Sequence, residues 1–581
     1  MKWFARILNL IGATNLNGIF GPTWAIGLTR VFGPTCAISL TRVFGPTSAI
    51  GPIRIFDPTR AIGPIRIFDP TRAFGLTLAL CLTGSFMLTS TARAADLNAK
   101  VDGYRALNES AIVGQLDELT RLRSVAADPG GITATADRLQ KLLAERGFAA
   151  RQFSAGAGTP PLVFGVMKTP GAKRTVIFYA HYDGQPVTPS QWSSDPFLPV
   201  MRSGALNTGE HVIDWQHVHT PFEPEWRLFG RAVSDDKASI VAFLAAFDAL
   251  KARGVAPSVN IKVLWEGEEE AGSPHLAELL RNNRAALASD LILVGDAPVH
   301  QSRQPMIYFG ARGVMGLEAT IYGPIHALHD GHYGNWVPNP AAMAATLIAQ
   351  MRDENGRILI PGFADGVRAL TPDEQVAIRD LPAIDEPLKR EFGIGRSESN
   401  ENLASSIMRP AVNIRGIRSG QVGESAPTAI PTTALISFDF RLVPDQSPTA
   451  VRAAVERFFQ ASGWTIVANE PDLATRLATP RLVRLQWEAG YPGYRTDMSA
   501  PAGKAVIAAA GKAASAPLVV LPMMGASVPL YLFAEILQAP VVGLPIVNHD
   551  NSQHAANENL RLRNLWDGID TYAAMLAELH W

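Results

Sequence analysis

The spacing of apolar residues divides the central part of the chain into helices and strands. Apolar side chains recur with helical periodicity over 104–125 and 132–147, which predicts two amphipathic helices. A helical stretch at 236–253 is also apparent. Apolar runs rich in β-branched and aromatic residues occur at 175–180, 259–265 and 290–294. Strands that alternate with helices predict an α/β fold around a mainly parallel sheet.

The order of predicted elements changes after about residue 314. The pattern then predicts strand, helix, strand, strand, helix and strand at 316–322, 339–353, 411–417, 433–443, 447–462 and 464–468. This β-α-β-β-α-β order is the split βαβ arrangement and predicts an inserted α+β domain over 314–476. The segment 354–410, rich in Pro, Asp and Glu, is interpreted as an elaborated connection within it. We expect residues 95–313 and 477–581 to form the first domain together.

The amino terminus differs from the rest of the chain. Proline-containing units of twelve residues begin at Phe20, Phe32, Phe44, Phe56 and Phe68. Units this short cannot form helical hairpins, so residues 1–75 are interpreted as a repetitive extension that is disordered or precedes the true start. A functional repeat module is the alternative.

Residues 76–94 have the features of a secretory signal peptide. Arg72 supplies a basic flank, and the apolar run Leu76–Leu88 is too short to span a membrane. Ala92-Arg93-Ala94 forms an A-x-A cleavage site before Ala95. We therefore expect an exported protein, periplasmic or secreted, with no stable membrane span in its mature form. A retained amino-terminal anchor is the alternative.

Composition narrows the chemistry that the body of the chain can perform. The formal net charge is -1, so no general affinity for nucleic acid follows. Both cysteines, Cys36 and Cys81, lie before the predicted cleavage site. Without cysteine, the mature chain can form no disulfide, and any metal ligands must be oxygen or nitrogen atoms.

Three acidic stretches are expected at the carboxyl ends of strands of this mainly parallel sheet, where ligands gather. They are His181-Tyr182-Asp183, Ser234-Asp235-Asp236-Lys237 and Glu266–Ser273, with Asp296 and His554 further along. A pair of catalytic metal ions about 3.5–4 Å apart needs oxygen and imidazole ligands, a bridging carboxylate and a free carboxylate that moves protons. Taken singly, each stretch could be a strand-end pair, a helix cap or a solvated acidic loop. Together they predict a two-metal hydrolase.

These residues resemble the dizinc metallopeptidase family of aminoacylases, glutamate carboxypeptidases and carnosine dipeptidases, and the resemblance covers most of 104–581. It is carried by Tyr179–Asp183, Gly230–Lys237, Glu269–Ser273, Asp296, Arg441-Leu442-Val443-Pro444, and His554 before Asn557-Glu558. One departure is Ala232, where the family commonly has Gly. The resemblance implies a dizinc catalytic domain with an inserted lid or dimerisation domain.

The resemblance also implies a ligand set for two Zn²⁺ ions, with Mn²⁺ or Co²⁺ as substitutes. His181 and Asp296 would bind one ion, Glu270 and His554 the other, and Asp235 would bridge them. Asp236 is the less favoured bridge, and His549 is the rival of His554. Asp183 would hold the His181 ring or a neighbouring residue. The peptide after the bridging aspartate is cis in the family.

Glu269 is the expected general base. A carboxylate bound to metal is a poor base, so the free member of the Glu269–Glu270 pair should move the proton. The family pattern assigns the first glutamate as base and the second as ligand, and Glu268 is the spare candidate.

The inserted domain is expected to contact substrate. Arg441 would bind the substrate carboxylate bidentately, although an ordinary exposed strand arginine is the alternative. His329 aligns with a family histidine that polarises the scissile carbonyl, often in the partner subunit's site, so a homodimer is expected. His217 and His219, and the set His326, His329 and His332, are interpreted as histidines that bind no further metal.

The leading hypothesis is an exported dizinc peptidase for dipeptides or similarly small peptides. Asp at position 296 resembles the dipeptidase and aminopeptidase branches of the family, in which carboxypeptidases and deacylases usually have Glu. An N-acyl-amino-acid amidohydrolase is the first alternative. A non-catalytic binding protein on the same scaffold is the second.

Overall fold

The structure is a computed structural model that describes residues 70–581. Residues 1–69, which hold most of the predicted repeat, lie outside the described residues, and the predicted signal peptide remains a prediction. No helix in the described part of the chain combines the length and apolar character needed to cross a membrane. The sheets and the candidate site lie within the unit Cys81–Trp581.

The described elements are numbered in chain order. The strands are β1 Ala149–Phe153, β2 Leu162–Met167, β3 Thr175–His181, β4 Val200–Arg202, β5 Arg227–Phe229, β6 Asn260–Glu266, β7 Leu291–Val294, β8 Met306–Tyr308, β9 Gly310–Ala311, β10 Gly313–Tyr322, β11 Leu328–His329, β12 Ala411–Arg418, β13 Ala429–Ile430, β14 Thr433–Leu442, β15 Thr465–Val467, β16 Leu482–Trp487, β17 Tyr494–Arg495, β18 Val519–Leu521, β19 Val541–Gly543 and β20 Asn559–Arg561. The helices are Pro70–Arg121, Pro129–Glu145, Lys237–Ala252, Leu276–Asn282, Arg284–Leu287, Asp330–Tyr333, Pro340–Met351, Pro372–Arg379, Asp385–Phe392, Leu403–Ile407, Pro448–Ala461, Leu473–Ala478, Pro501–Ala513, Leu530–Leu537 and Leu562–Glu578.

An eight-stranded sheet forms the centre of the first domain, in the order β1-β2-β6-β3-β7-β19-β8-β18. Its central strands β6, β3, β7 and β19 are parallel, and antiparallel pairs occur towards both edges. Alternate residues of β3 enter two different cores: Phe178 packs in one and Tyr179 in the other. The sheet therefore lies between two helical layers, which explains why its central strands are apolar throughout.

The Asp235 stretch does not follow a strand of this sheet, contrary to our expectation for all three acidic stretches. It follows β5, which lies in a separate three-stranded sheet ordered β20-β5-β4. Strand β5 pairs antiparallel with β20, which comes soon after His554. This small sheet brings the Asp235 and His554 segments together.

A second, five-stranded sheet has the order β12-β14-β10-β16-β15. The helices Pro340–Met351 and Pro448–Ala461 contribute buried residues to the same core as this sheet. The strands and helices agree closely with the predicted split βαβ pattern. However, β16 lies beyond residue 476, where we expected the chain to have returned to the first domain. It pairs with β10 because its apolar residues, such as Val483, fill the remaining side of this core.

Two short strands connect the sheets. Strand β9 precedes β10, where the chain enters the second domain, and β17 lies where the chain returns to the first. Strands β9 and β17 pair antiparallel. Close packing at this crossing excludes side chains: a Cβ on Gly310 would lie 2.3 Å from the backbone oxygen of Tyr494. The segment 354–410 also contacts the crossing, because the buried Glu374 forms an ion pair with Arg495, whose Nε lies 2.7 Å from Glu374 Oε1. The crossing holds the second domain beside the edge of the first.

Candidate metal centre

His181 stands at the carboxyl end of the buried strand β3 and is itself buried. Its Nδ1 donates to the backbone oxygen of Asp183 at 3.1 Å, and its Nε2 lies 3.0 Å from Asp235 Oδ1. The Nδ1 contact fixes the ring so that Nε2 faces the acidic cluster. His181 thus has the geometry of a metal-binding imidazole whose other nitrogen is held by the protein.

Asp183 supports the loop that carries the glutamates. Its carboxylate is completely buried and accepts from the backbone N–H groups of Glu269, at 3.2 Å, and Glu270, at 3.0 Å. One oxygen also lies 3.3 Å from His181 Nδ1. Asp183 therefore ties the end of β3 to the loop that follows β6.

Asp235 occupies the middle of the cluster. One of its oxygens faces His181, and the other lies 3.1 Å from His554 Nε2 and accepts from Gln553 Nε2 at 2.8 Å. The following peptide, Asp235–Asp236, is cis. Asp236 turns away and accepts from the hydroxyl of Ser239. Asp235 is thus the carboxylate that touches both histidines, as a bridging ligand must.

Glu558 holds the Asp235 segment in place. Its buried carboxylate accepts from Arg231 Nη1 at 2.7 Å, from the backbone N–H of Ala232 at 2.9 Å, and from the backbone N–H groups of Ser234 and Asp235, both at 3.0 Å. In the sequence, Glu558 served only to mark His554, and its support of the Asp235 segment is visible only in the structure. Ala232, the departure from the family's glycine, has φ 62° in the left-handed region that glycine favours.

His554 and Glu270 meet on the far side of Asp235. His554 Nε2 lies 3.2 Å from Glu270 Oε2, and Gln185 Nε2 donates to the same oxygen at 2.7 Å. The His554 side chain is half exposed, whereas His181 is buried. His549, the rival candidate, lies outside both ligand groups found among the described residues.

Six side chains form two groups with the spacing of metal ligands. One group is His181, Glu269 and Asp296; the other is Asp235, Glu270 and His554; in each, the ligand atoms lie within 4.8 Å of one another. Asp235 also reaches the first group through its 3.0 Å contact with His181. Glu269 is thus close enough to be either a ligand or a base.

The histidines and Asp235 stabilise one another's charged forms. Burial would raise the pKa of Asp235, but hydrogen bonds from His181 and His554 and their charges hold it well below its usual value. Hydrogen bonds to Asp235 and Glu270 raise the pKa of His554 to about 10. Protons on these imidazoles therefore occupy the positions that metal ions would take.

The remaining carboxylates repel one another in a buried site. Burial and the charge of Asp235 raise the pKa of Asp296 to about 7. Burial and the charges of Asp296, Asp235 and Glu266 raise the pKa of Glu269 well above its usual value, against the opposing effect of His181. Such a set of oxygen and imidazole nitrogen donors, short of positive charge, suits divalent cations of the zinc type.

Arg441 and His329 lie in different surroundings. Arg441, at the end of β14, donates to Asp439 Oδ2 and to Ser527 Oγ, both at 2.8 Å, so it bridges to the first domain. His329 is half exposed, and its Nδ1 accepts from the backbone N–H of Gly331. Neither residue belongs to the two ligand groups. No motif in the sequence marks Ser527, whose role is visible only through this contact with Arg441.

The other histidine groupings lie away from the ligand groups. His217 pairs with Asp214 on the exposed surface at 2.8 Å. His329 and His332 contact each other through their rings, whose centroids are 4.7 Å apart. Among the described residues, neither grouping has a carboxylate set with ligand spacing.

Comparison with known proteins agrees with this geometry. Residues 177–578 match peptidase family M20/M25/M40. The chain is 28% identical to the Cys-Gly metallodipeptidase dug1 of Schizosaccharomyces pombe over 429 residues, covering 72% of this chain and 83% of the relative. It is 26% identical to the human Beta-Ala-His dipeptidase over 475 residues, covering 80% and 85%.

A solved structure shows the same fold. The M20 family metallo-carboxypeptidase Sso-CP2 from Sulfolobus solfataricus superposes with a TM-score of 0.65 at 27% identity, covering 81% of this chain and 99% of that one. The class that fold and site define is a two-domain metallopeptidase. The chain belongs to peptidase family M20/M25/M40.

Proposed function

We propose that this metallopeptidase hydrolyses the peptide bond of dipeptides or similarly small peptides. The observation that carries the proposal is Asp235, which contacts a histidine on each side and joins two ligand groups beside the partly buried Glu269. The names of two relatives, a Cys-Gly metallodipeptidase and a Beta-Ala-His dipeptidase, support the substrate class.

His181, Asp235 and Asp296 would hold one ion, and Asp235, Glu270 and His554 the other. We propose zinc for both, with manganese or cobalt as substitutes, because the donors are imidazole nitrogens and carboxylate oxygens. Two such ions, when bound, polarise the scissile carbonyl and lower the pKa of the attacking water. Asp183 and Glu558 keep the ligand loops in position through the backbone N–H groups that they accept from.

Glu269 is proposed as the general base. It takes a proton from the attacking water and passes it to the amine that leaves. Burial and the negative charges of Asp296, Asp235 and Glu266 raise its pKa, and bound cations would offset those charges. Asp183 orients the loop by accepting from the Glu269 backbone N–H.

A substrate panel tests this function. The mature segment 95–581, loaded with Zn²⁺, should hydrolyse free dipeptides, lose the activity on chelation and regain it with Zn²⁺. N-acyl amino acids in the same panel distinguish a deacylase. Turnover of acylated substrates alone would replace the dipeptidase proposal, and no metal-dependent turnover would support the binding protein.

The second domain is proposed to bind the substrate carboxylate through Arg441 and to form a homodimer through which His329 serves the partner's site. The exposure of His329 supports this, since a residue that acts on a second subunit must lie at the surface. Mixing His329→Ala with Glu269→Gln protein tests it, because a heterodimer would regain one complete site. No recovery of activity after proven subunit exchange would contradict the shared site.

We also propose that the protein is exported after cleavage before Ala95. Expression of the full chain with a mass measurement of the mature product tests this. A product that retains residues 76–94 in a soluble cytoplasmic fraction would contradict export.

A further inference from the structure

Tyr491 lies on the segment that returns the chain from the second domain to the first. Its backbone N–H donates to the carbonyl of Val314 at 3.0 Å, and its carbonyl accepts from the Val314 N–H at 3.1 Å. On its other side, Val314 pairs with Arg441 in the antiparallel ladder. Residues opposite each other on antiparallel strands point to the same face. Tyr491 and Arg441 therefore share one face of the sheet, with Val314 between them.

Both side chains reach the same short segment of the first domain. Arg441 Nη1 donates to Ser527 Oγ at 2.8 Å. The Tyr491 ring stacks on that of Tyr531, with centroids 5.8 Å apart and planes at 14°. Ser527 and Tyr531 are four residues apart at the start of the helix Leu530–Leu537. The two side chains thus lie side by side where the second domain faces the first.

The Tyr491 phenol is partly buried, and the charges of both Glu269 and Arg441 act on it. Burial raises the pKa of Tyr491; the negative charge of Glu269 raises it further, and the positive charge of Arg441 lowers it. Within the described residues the Tyr491 hydroxyl forms no hydrogen bond. By contrast, the hydroxyl of Tyr494, three residues on, accepts from Thr496 Oγ1 at 3.2 Å. Tyr491 therefore has a hydroxyl with no partner among the described residues, on the same face of the sheet as Arg441.

We propose that Tyr491 contacts the substrate and forms one wall of the subsite for its carboxy-terminal residue. The inference rests on the proposed peptidase function, in which Arg441 binds the substrate carboxylate. The Tyr491 hydroxyl donates a second hydrogen bond to that carboxylate. Its ring, supported by Tyr531, packs against the side chain of the same residue.

Tyr491→Phe tests the hydroxyl. A hydrogen bond to a charged group contributes enough that its loss should raise KM for free dipeptides by about tenfold or more. Metal content and kcat should stay unchanged. With C-terminal amide analogues of the same peptides the increase should fall to about threefold or less, because the bond to a neutral amide is weaker. Tyr494→Phe is the matched control and should leave KM unchanged.

Tyr491→Ala tests the packing of the Tyr491 ring against the carboxy-terminal residue of the substrate. Loss of the ring should reduce kcat/KM more for dipeptides with large apolar carboxy-terminal residues than for those ending in Gly. An unchanged KM in Tyr491→Phe together with an unchanged carboxy-terminal preference in Tyr491→Ala would overturn the inference. If the wild-type protein hydrolyses dipeptides in that case, only the role of Tyr491 fails. A wild-type protein with no dipeptidase activity would overturn the proposed function as well.

Discussion

The candidate metal centre and the part of the second domain proposed to meet substrate are built in different ways. In the metal centre, His181, Asp235 and Asp296 are buried, and Asp183 and Glu558 fix the ligand loops through backbone N–H groups. In the second domain, His329 is half exposed and Arg441 is about one-third exposed. The comparison teaches that the candidate ligands are fixed within one domain, whereas the proposed substrate contacts depend on how two domains, or two proposed subunits, meet.

Replacing the bridging carboxylate should break the metal centre most severely. Asp235→Asn removes the charge that both histidines contact, so both ions should bind weakly and kcat should fall by at least about a thousandfold. Metal analysis and dipeptide kinetics check this. Asp236→Asn is the control, because Asp236 bonds Ser239 and belongs to neither ligand group. Equal metal loss in the two variants would contradict the bridging role of Asp235.

Arg441→Ala should affect the substrate and leave the metal in place. Loss of a charged hydrogen-bonding partner of the substrate carboxylate should raise KM by about 10- to 100-fold. The content of bound metal should equal that of wild type. Arg415→Ala, which removes a neighbouring arginine paired with Glu488, is the control and should keep the wild-type KM. A parallel loss of metal would show that the two regions are not separate.

Glu558→Gln should sharpen the comparison, because Glu558 binds no substrate and still belongs to the metal centre. The amide keeps the shape of the side chain but has one acceptor fewer for the N–H groups of Ala232, Ser234 and Asp235. Metal affinity should fall by about 10- to 100-fold, with KM unchanged at saturating metal. Unchanged metal affinity would mean that the loop holds its position without the charge.

The pH dependence of stability should reveal the ionisable groups of the candidate metal centre. The pKa of Asp296 is raised to about 7 in the folded protein. Between about pH 4 and 7 this carboxyl is therefore ionised in the unfolded chain but protonated in the metal-free fold. The free energy of unfolding should fall as the pH rises through this range. The raised pKa of His554 contributes stability below about 6.5 that is lost as pH approaches 10. Added Zn²⁺ should therefore raise Tm more at pH 8 than at pH 6. Asp296→Asn should reduce this difference, and an identical gain in wild type and variant would contradict the assignment.

Much of the fold could be predicted because the apolar patterns match the burial of the elements. Strand β3 and the helix Lys237–Ala252 fall within a residue or two of their predicted limits, since each is apolar on the faces that it buries. Strand β16 was missed, because its membership of the second sheet depends on pairing with β10, which is far away in the sequence.

The candidate site was likewise predictable in part: its ligands could be identified from motifs, but its supporting residues could not. The family resemblance implied His181, Asp235, Glu270, Asp296 and His554 as ligands, and the structure brings these five residues together. The reason for their convergence was only partly foreseen, since Asp235 arrives through the small sheet β20-β5-β4. Glu558 as a support, and Ser527 and Tyr491 near Arg441, depend on tertiary contacts that no local pattern encodes.

The most direct test of the account is the metal content and kcat of Glu269→Gln, measured beside Glu268→Gln. The account predicts that Glu269→Gln binds two ions per chain, as wild type does, and loses several orders of magnitude in kcat because proton transfer is lost. Glu268→Gln should keep most of the activity, since Glu268 is bonded to His275 and lies outside both ligand groups. Near-normal turnover by Glu269→Gln, or loss of one of its two ions, would contradict Glu269 as the general base.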